Sequence, residues 1–334
     1  MTSLRLASKT SFLAIVLVAA GGVGAWWFDR WLHAPLPMGA PVEIVIDNGA
    51  PLGAIADALT ARGVLDHPRV FGWYVRARGL ALRLHAGEYA IPVGTTPKAL
   101  LAKLVRGDVV QHELKLLEGW TVAQVREALA AEPLLAQDVA EGDDLVAIAG
   151  IEGRSAEGWF FPDTYKFTRA SSAAELLRRA HARMKSELSR VWEGRDPDLP
   201  YTQPYDALIM ASIIEKETGK EDERRKIARV FVARLERGMP LQTDPTIIYG
   251  LGVDFDGNLT REHLASDSAY NTYRRRGLPP TPIALPGRAA LEAAVHPAPG
   301  DYLYFVARGD GSSEFSTTLA QHAAAVRRYQ LGAP

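Results

Sequence analysis

The chain has 334 residues, enough for one large or two medium domains with their own cores. Hydrophobic residues make up 47% and charged residues 23%, which sets it among globular rather than disordered chains. A formal net charge of −1 argues against nucleic-acid binding through a basic surface. The absence of cysteine excludes disulfides, zinc–thiolate centres, cysteine nucleophiles and lipid attachment through cysteine.

The N-terminus carries an uncharged, mostly apolar run from Thr10 to Phe28, between Lys9 and Asp29. Such a run is close to the roughly 20 residues that span a bilayer as a helix. Arg5 and Lys9 precede it, which favours a cytoplasmic N-terminus, and Trp26, Trp27 and Trp31 cluster at its far end as an interfacial belt. A cleaved signal peptide is the competing reading, with its site among the small residues near Ala20–Ala25. The bulky tryptophans directly after that stretch, and the length of the run, favour an uncleaved anchor. Either way the remainder is exported. The expected organisation is a cytoplasmic tail at 1–10, a transmembrane anchor at 11–31 and a proline-rich stalk at 32–41.

Val42–Asp47 then predicts a strand. Pro51 opens a helix with Leu52, Ile55, Ala56 and Leu59 on one stripe, and Pro68 opens another with Phe71, Tyr74 and Val75 inward, ending at Gly79. Glu88–Ile91 is a short strand. Thr96 caps a third helix carrying Leu100, Leu101, Leu104 and Val105 and closed by Gly107. These elements form a small α+β module at 42–108. The alternation of Val110, His112, Leu114 and Leu116 leads out of it as a strand.

The remainder, 109–334, is longer, more helical and mixed α+β. Thr121 caps a helix with Val122, Val125 and Leu129, and Ser172-x-x-Glu175 has the form of a capping box. Asp206–Thr218 and Asp222–Arg237 are consecutive helices ended by Gly219 and Gly238, and Asp244-Pro245 is an N-cap followed by a first-turn proline. Tyr302–Val306 is a buried-type strand, Gly309–Ser312 a turn, Glu314–Ser316 a returning strand and Leu319–Tyr329 a final helix.

The most informative stretch is Ala211–Gly219, in which an apolar helix runs into Glu215 and Glu217. A carboxylate at the end of a buried element must be paired, hydrogen-bonded or protonated, and protonation near neutral pH is what a general acid needs. At 100° per residue the two glutamates point roughly 200° apart, so they should not share one pocket unless the helix ends between them. Spacing alone leaves two readings open, a catalytic carboxylate and a solvated helix end. Leu241–Tyr249 gathers Gln242, Asp244 and Tyr249. Ser268–Tyr273 and Gly277–Ile283 form a stiff loop of aromatics, amides and prolines suited to sugars or to ordinary packing. Glu157–Tyr165 is an aromatic run. The chain has no Gly-x-Ser-x-Gly and no His-Glu-x-x-His, and Ser212 lacks the lysine of an acylating Ser-x-x-Lys. Asp254–Gly257 opens like a calcium loop, but its glycine comes too early and Ala265 stands where a bidentate glutamate is needed. No metal or cofactor is expected.

EGWFFPDTY (157–165), ASIIEKET (211–218), LQTDPTIIY (241–249), YNTY (270–273), GLPPTPI (277–283) and YLYFV (302–306) occur in the order found in the YceG-like endolytic murein transglycosylases, which the chain resembles over essentially its whole length. The resemblance implies that the 42–108 module is LysM-like and that 109–334 is the catalytic domain. It also implies one catalytic glutamate, at Glu215. The implied reaction cleaves the β-1,4 bond between N-acetylmuramic acid and N-acetylglucosamine without water, the muramyl 6-hydroxyl attacking its own C1 to leave a 1,6-anhydro end. One glutamate would serve twice, first protonating the leaving oxygen and then accepting the 6-hydroxyl proton, whereas a hydrolase needs two carboxylates. Gln242, Asp244, Tyr249, Asn271 and Tyr273 are the candidates for holding the sugar, with Ser212 and Glu217 in support. The implied surroundings are the inner membrane, nascent glycan strands, and penicillin-binding and other wall-synthesis proteins as candidate partners. A two-carboxylate muramidase, with Glu215 beside Asp244 or Glu217, and a non-catalytic glycan-binding scaffold are the alternatives.

Overall fold

The computed structural model describes residues 2–332, with side chains from Ile15 onward. The chain forms two compact units, Met1–His112 and Glu113–Pro334, both of mixed α+β character with two-stranded sheets.

In the first unit a long helix, α1 (Thr2–His33), precedes β1 (Val42–Ile46), α2 (Leu52–Ala61), α3 (Pro68–Ala77), β2 (Gly87–Ile91) and α4 (Pro97–Arg106). β1 and β2 pair antiparallel from Val42↔Ile91 to Ile46↔Gly87. The stripes predicted for α2, α3 and α4 are the buried faces: Leu59, Phe71, Val75, Leu100 and Leu104 close over Tyr89 and Ile91. Thr96 caps α4 by accepting from the Ala99 N–H, and Gly107 closes it with φ 64°, a conformation that suits a residue without Cβ.

Among the described residues no helix is long and apolar enough to cross a membrane. The tail at 1–10, with Arg5 and Lys9, lies outside the residues whose side chains are described, as does the start of the expected span at 11–31. From Ile15 to Trp27 the large apolar side chains of α1 are exposed, among them Leu17, Val18, Val23 and Trp26. Beyond them the helix turns inward. Phe28 packs within 6 Å of Trp31, Trp73 and Tyr74. Trp31 donates to Asp66 at 3.2 Å. The segment expected as a stalk is part of this core: Leu32, Leu36 and Met38 are buried, and the Leu36 N–H bonds to the Thr95 carbonyl. Proline made it look like a linker, but its apolar residues pack against the module.

The second unit comprises β3 (His112–Lys115, at the boundary), α5 (Val122–Ala131), α6 (Leu145–Ala149), β4 (Thr164–Phe167), α7 (Ala173–Glu193), α8 (Pro204–Glu217), α9 (Glu221–Glu236), α10 (Asp244–Leu251), α11 (Arg261–Ala265), α12 (Arg288–Val295), β5 (Tyr304–Ala307), β6 (Ser313–Ser316) and α13 (Leu319–Tyr329). β3 pairs with β4, and β5 with β6 antiparallel. α8 is the central helix. Every residue from Ala207 to Ile214 is buried, with α7, α9, α10 and α12 packed around it.

Two local expectations are revised and a third is extended. Thr218, extended, ends α8, and Gly219 has no left-handed role. Asp244 is the first residue of α10 rather than its cap, and its carboxylate accepts the Tyr273 hydroxyl; Thr243 takes the cap position without a side-chain cap bond, its hydroxyl being given to Glu217. Ser172 caps α7 by accepting from Glu175 N–H, and Asp138 receives the Ala173 and Ala174 amides and the Ser172 hydroxyl.

Gly158 links two of the sequence motifs. Its φ is +79°, and a Cβ there would stand 2.5 Å from the Pro282 Cβ. Gly158→Ala is expected to cost about 2–3 kcal/mol, from left-handed backbone plus overpacking, read as a fall in the denaturant midpoint.

Candidate active site

Pro204 starts α8 at a position with no amide to lose, and the Asp206 carboxylate receives the Thr202 and Gln203 amides. The helix then runs through the core and delivers its last turn to the surface of the cluster. Ser212, fully buried, donates to the Ile209 carbonyl at 2.7 Å and accepts the Ile283 N–H at 3.0 Å. It is a clasp between α8 and the proline-rich loop, with no atom facing solvent.

The two glutamates at the end of α8 have separate surroundings, as their angular spacing requires. Glu215 accepts the Gly287 N–H at 2.9 Å, at the start of α12, and stands 4.0 Å from the Arg224 guanidinium with 7% of its side chain exposed. Burial raises its pKa, opposed by the Gly287 bond and Arg224 and assisted by the neighbouring Glu118. Glu118 backs closely onto Gly287, where a Cβ would collide with its carboxylate. Glu215 therefore ties the ends of two helices together.

Glu217 faces the other way, into a cavity of about 390 Å³ that it lines together with Arg234, Gln242, Asp244 and Tyr273. Burial raises its carboxyl pKa to about 7, and Asp244 pushes in the same direction; the Thr243 hydroxyl, which donates to Glu217 Oε1, and the Arg234 cation oppose the rise. Asp244 Oδ1 accepts the Tyr273 hydroxyl at 2.7 Å. Gln242 is held at φ 54°, an uncommon conformation for a residue with a side chain, by its N–H bond to the Thr272 carbonyl and by Arg234 on its side-chain oxygen at 3.2 Å. Arg234 also donates to the buried carbonyls of Leu303 and Leu241, at 2.8 and 2.7 Å. A carboxyl that titrates near neutrality, next to a second carboxylate, a phenol and an amide in an open cavity, has the equipment of acid–base chemistry on a polar substrate.

Of the predicted residues, Gln242, Asp244 and Tyr273 are brought together, and they gather around Glu217; Glu215 does not line this cavity. Tyr249 and Asn271 lie elsewhere. Asn271 is fully buried, its amide donating to the Leu264 and Ser266 carbonyls and its oxygen accepting the Tyr273 N–H, so it shapes the loop that carries Tyr273. The Tyr249 hydroxyl donates to Glu157 at 3.1 Å, and its ring meets Tyr270 edge-on. Glu157 is buried with a pKa raised to about 7 by that burial, and it receives the Val122 N–H at the start of α5. Sequence reasoning missed Arg234. Its signal was a charge on the stripe Ile227, Val230, Phe231, Arg234, where helical spacing calls for an apolar residue. Among the described residues no group of acidic or histidine side chains could hold a metal ion.

The sequence model of the YceG-like family matches residues 44–328. The endolytic murein transglycosylase of Bacillus subtilis (strain 168) is 32% identical over 327 residues, covering 92% of this chain and 90% of the relative. The endolytic murein transglycosylase of Streptococcus pneumoniae serotype 2 is 29% identical over 336 residues, covering 89% of this chain and 60% of that longer protein. Among solved structures, a YceG-like protein from Listeria monocytogenes superposes with a TM-score of 0.54 at 28% identity, covering 86% of this chain and 99% of the other.

Proposed function

The chain belongs to the YceG-like family, and from that premise we propose that it is a murein lytic transglycosylase whose acid–base group is Glu217. The observation that carries the residue assignment is the cavity where Glu217, titrating near 7, stands with Gln242, Asp244 and Tyr273. The sequence motif favoured Glu215. The geometry supports its neighbour two positions on, since Glu215 is turned to the Gly287 amide.

In this reading the protonated Glu217 carboxyl donates its proton to the glycosidic oxygen as the bond to C1 breaks. Asp244, held by the Tyr273 hydroxyl, faces the positive charge that develops at C1 and orients the acetamido group; Gln242 offers its amide to the sugar. The Glu217 carboxylate then takes the proton from the muramyl 6-hydroxyl as that oxygen closes on C1. Thr243 positions the carboxyl by donating to one of its oxygens, which leaves the other for the substrate. One residue is acid and base in turn, and no water enters the balance.

Because Glu217 and Asp244 line one cavity, a two-carboxylate muramidase is the second reading. Mass spectrometry of products from uncrosslinked glycan separates the two: 1,6-anhydromuramyl ends are expected, and reducing muramic acid ends without them would favour hydrolysis. A second expectation concerns pH. Donation needs protonated Glu217, whose pKa is about 7, so kcat/KM should fall as pH rises through that value. The limb is read from initial rates between pH 5 and 9.

We further place the enzyme at the inner membrane, with α1 as a single-pass anchor and the second unit outside the cytoplasm. The exposed apolar side chains of α1 and its tryptophans support this. The first unit, a βααβ core, is the proposed LysM-like module. Nascent strands are the proposed substrate, cut to end or trim elongation beside the synthases, including penicillin-binding proteins.

A further inference from the structure

The cavity that holds Glu217 has a second wall, built by the end of the chain, that the mechanism above does not use. His322, Val326 and Gln330 stand at i, i+4 and i+8, so one face of α13 lines the cavity, beside Phe305, Val306 and Ala307 of β5. The His322 ring is stacked on Tyr304, with centroids 5.2 Å apart and planes 19° from parallel, and the Arg234 guanidinium lies over the same Tyr304 ring at 5.2 Å. Burial lowers the pKa of His322, and the Arg234 cation lowers it further, so the imidazole is neutral at pH 7. Neither ring nitrogen has a hydrogen-bond partner among the described residues. Nδ1 is sealed in the protein, whereas Nε2, at the tip of the ring, keeps accessible surface. A sealed, unpaired nitrogen is costly. Phenylalanine would make the same stack on Tyr304 without that cost, so packing alone does not account for an imidazole at this position.

A polar atom at the tip of a ring, with an apolar patch one turn away on the same helix face, matches an acetamido group. Neutral imidazole has one donor and one acceptor nitrogen. The amide of an acetamido group offers both an N–H and a C=O, so either tautomer finds a partner. Its methyl fits Val326 and the apolar residues of β5. A sugar hydroxyl would pair with Nε2 but leave that patch in water. In the mechanism above the acidic wall, with Asp244, takes the acetamido group of the reacting muramyl ring, and the next sugar of a murein strand carries another. We propose that α13 binds this second acetamido group, with His322 Nε2 hydrogen-bonded to its amide and Val326 against its methyl. The end of the chain thereby selects N-acetylated glycan. The inference rests on the murein reading above for the identity of the strand.

The test is calorimetric titration of the full chain with chitotetraose and with cellotetraose, two uncharged tetramers that differ in the acetamido group. Wild type is expected to bind chitotetraose at least roughly tenfold more tightly. His322→Phe keeps the stack on Tyr304 and removes the nitrogen. It should weaken chitotetraose by about tenfold and leave cellotetraose unchanged. His322→Gln, which keeps an amide at similar reach, should recover part of that loss. In kinetics on uncrosslinked strands, His322→Phe should raise KM by a similar factor and leave kcat within about twofold, the pattern of lost substrate binding. Equal binding of chitotetraose by wild type and His322→Phe overturns the proposal, as does wild type that binds the two tetramers equally. A chain that binds chitotetraose through His322 but releases no anhydro ends overturns the activity and leaves this site standing. A chain that cuts strands with the same KM in wild type and His322→Phe keeps the activity and overturns the site.

Discussion

Glu217→Gln is expected to lower the rate of strand cleavage by roughly 10²–10⁴-fold, the usual contribution of a positioned general acid–base. Its thermal midpoint should be little changed, because the amide oxygen can still accept the Thr243 hydroxyl. Glu215→Gln is the necessary contrast. Its side-chain oxygen can still receive the Gly287 amide, and the change removes a charge that Glu118 opposes. Activity should therefore stay within about tenfold of wild type and stability within about 1 kcal/mol. The opposite outcome, a dead Glu215→Gln and a working Glu217→Gln, would return the chemistry to the residue the motif favoured. Measuring anhydro ends released per minute from uncrosslinked strands, with both variants side by side, decides the question.

Arg234→Met should be the most damaging single change in the second unit. It leaves the buried carbonyls of Leu303 and Leu241 without their donor and frees the strained Gln242. A loss of about 3–5 kcal/mol is expected, or on the order of 10 °C in thermal midpoint for a unit of this size. The variant also tests the electrostatics of the site. The cation lowers the pKa of Glu217, so removing it should raise that pKa and move the alkaline limb of the pH–rate profile upward. Arg234→Lys keeps the charge but not the fork. It should restore the limb while recovering only part of the stability. A limb that does not move in Arg234→Met would mean that Glu217 is not the group being titrated.

How much of this was legible in the sequence depended on the range of the forces involved. Caps and stripes are local, so the helices at 52–61, 68–77, 97–106 and 319–329 fall where Pro51, Pro68, Thr96 and the terminal apolar periodicity put them. The separation of Glu215 from Glu217 also followed from helix geometry alone. Which of them is proposed for chemistry did not, because that depends on residues brought from 72 positions away at Gly287 and from α10 and the 270–273 turn. Asp244 looked like a cap because Asp-Pro is a common helix start; its carboxylate is drawn to Tyr273 instead, a contact 29 residues distant. Asn271 and Ser212 looked like site residues because polar side chains in a motif invite that reading, yet both satisfy buried backbone groups. The proline-rich 32–41 segment misled in the other direction, since composition carried no trace of where Leu36 and Met38 would be buried.

The burial of Trp31 and Leu32 in the first unit, with Phe28 packed against them, makes α1 and that unit mechanically one piece. A free linker would let the helix spin beneath the module; a docked helix fixes a screw relation between them. Adding one alanine between Val23 and Trp26 would turn everything upstream by about 100° and shift it by about 1.5 Å relative to the module. The face that α1 shows to its surroundings, and the azimuth at which the module stands above it, are thus set by residue count in that helix.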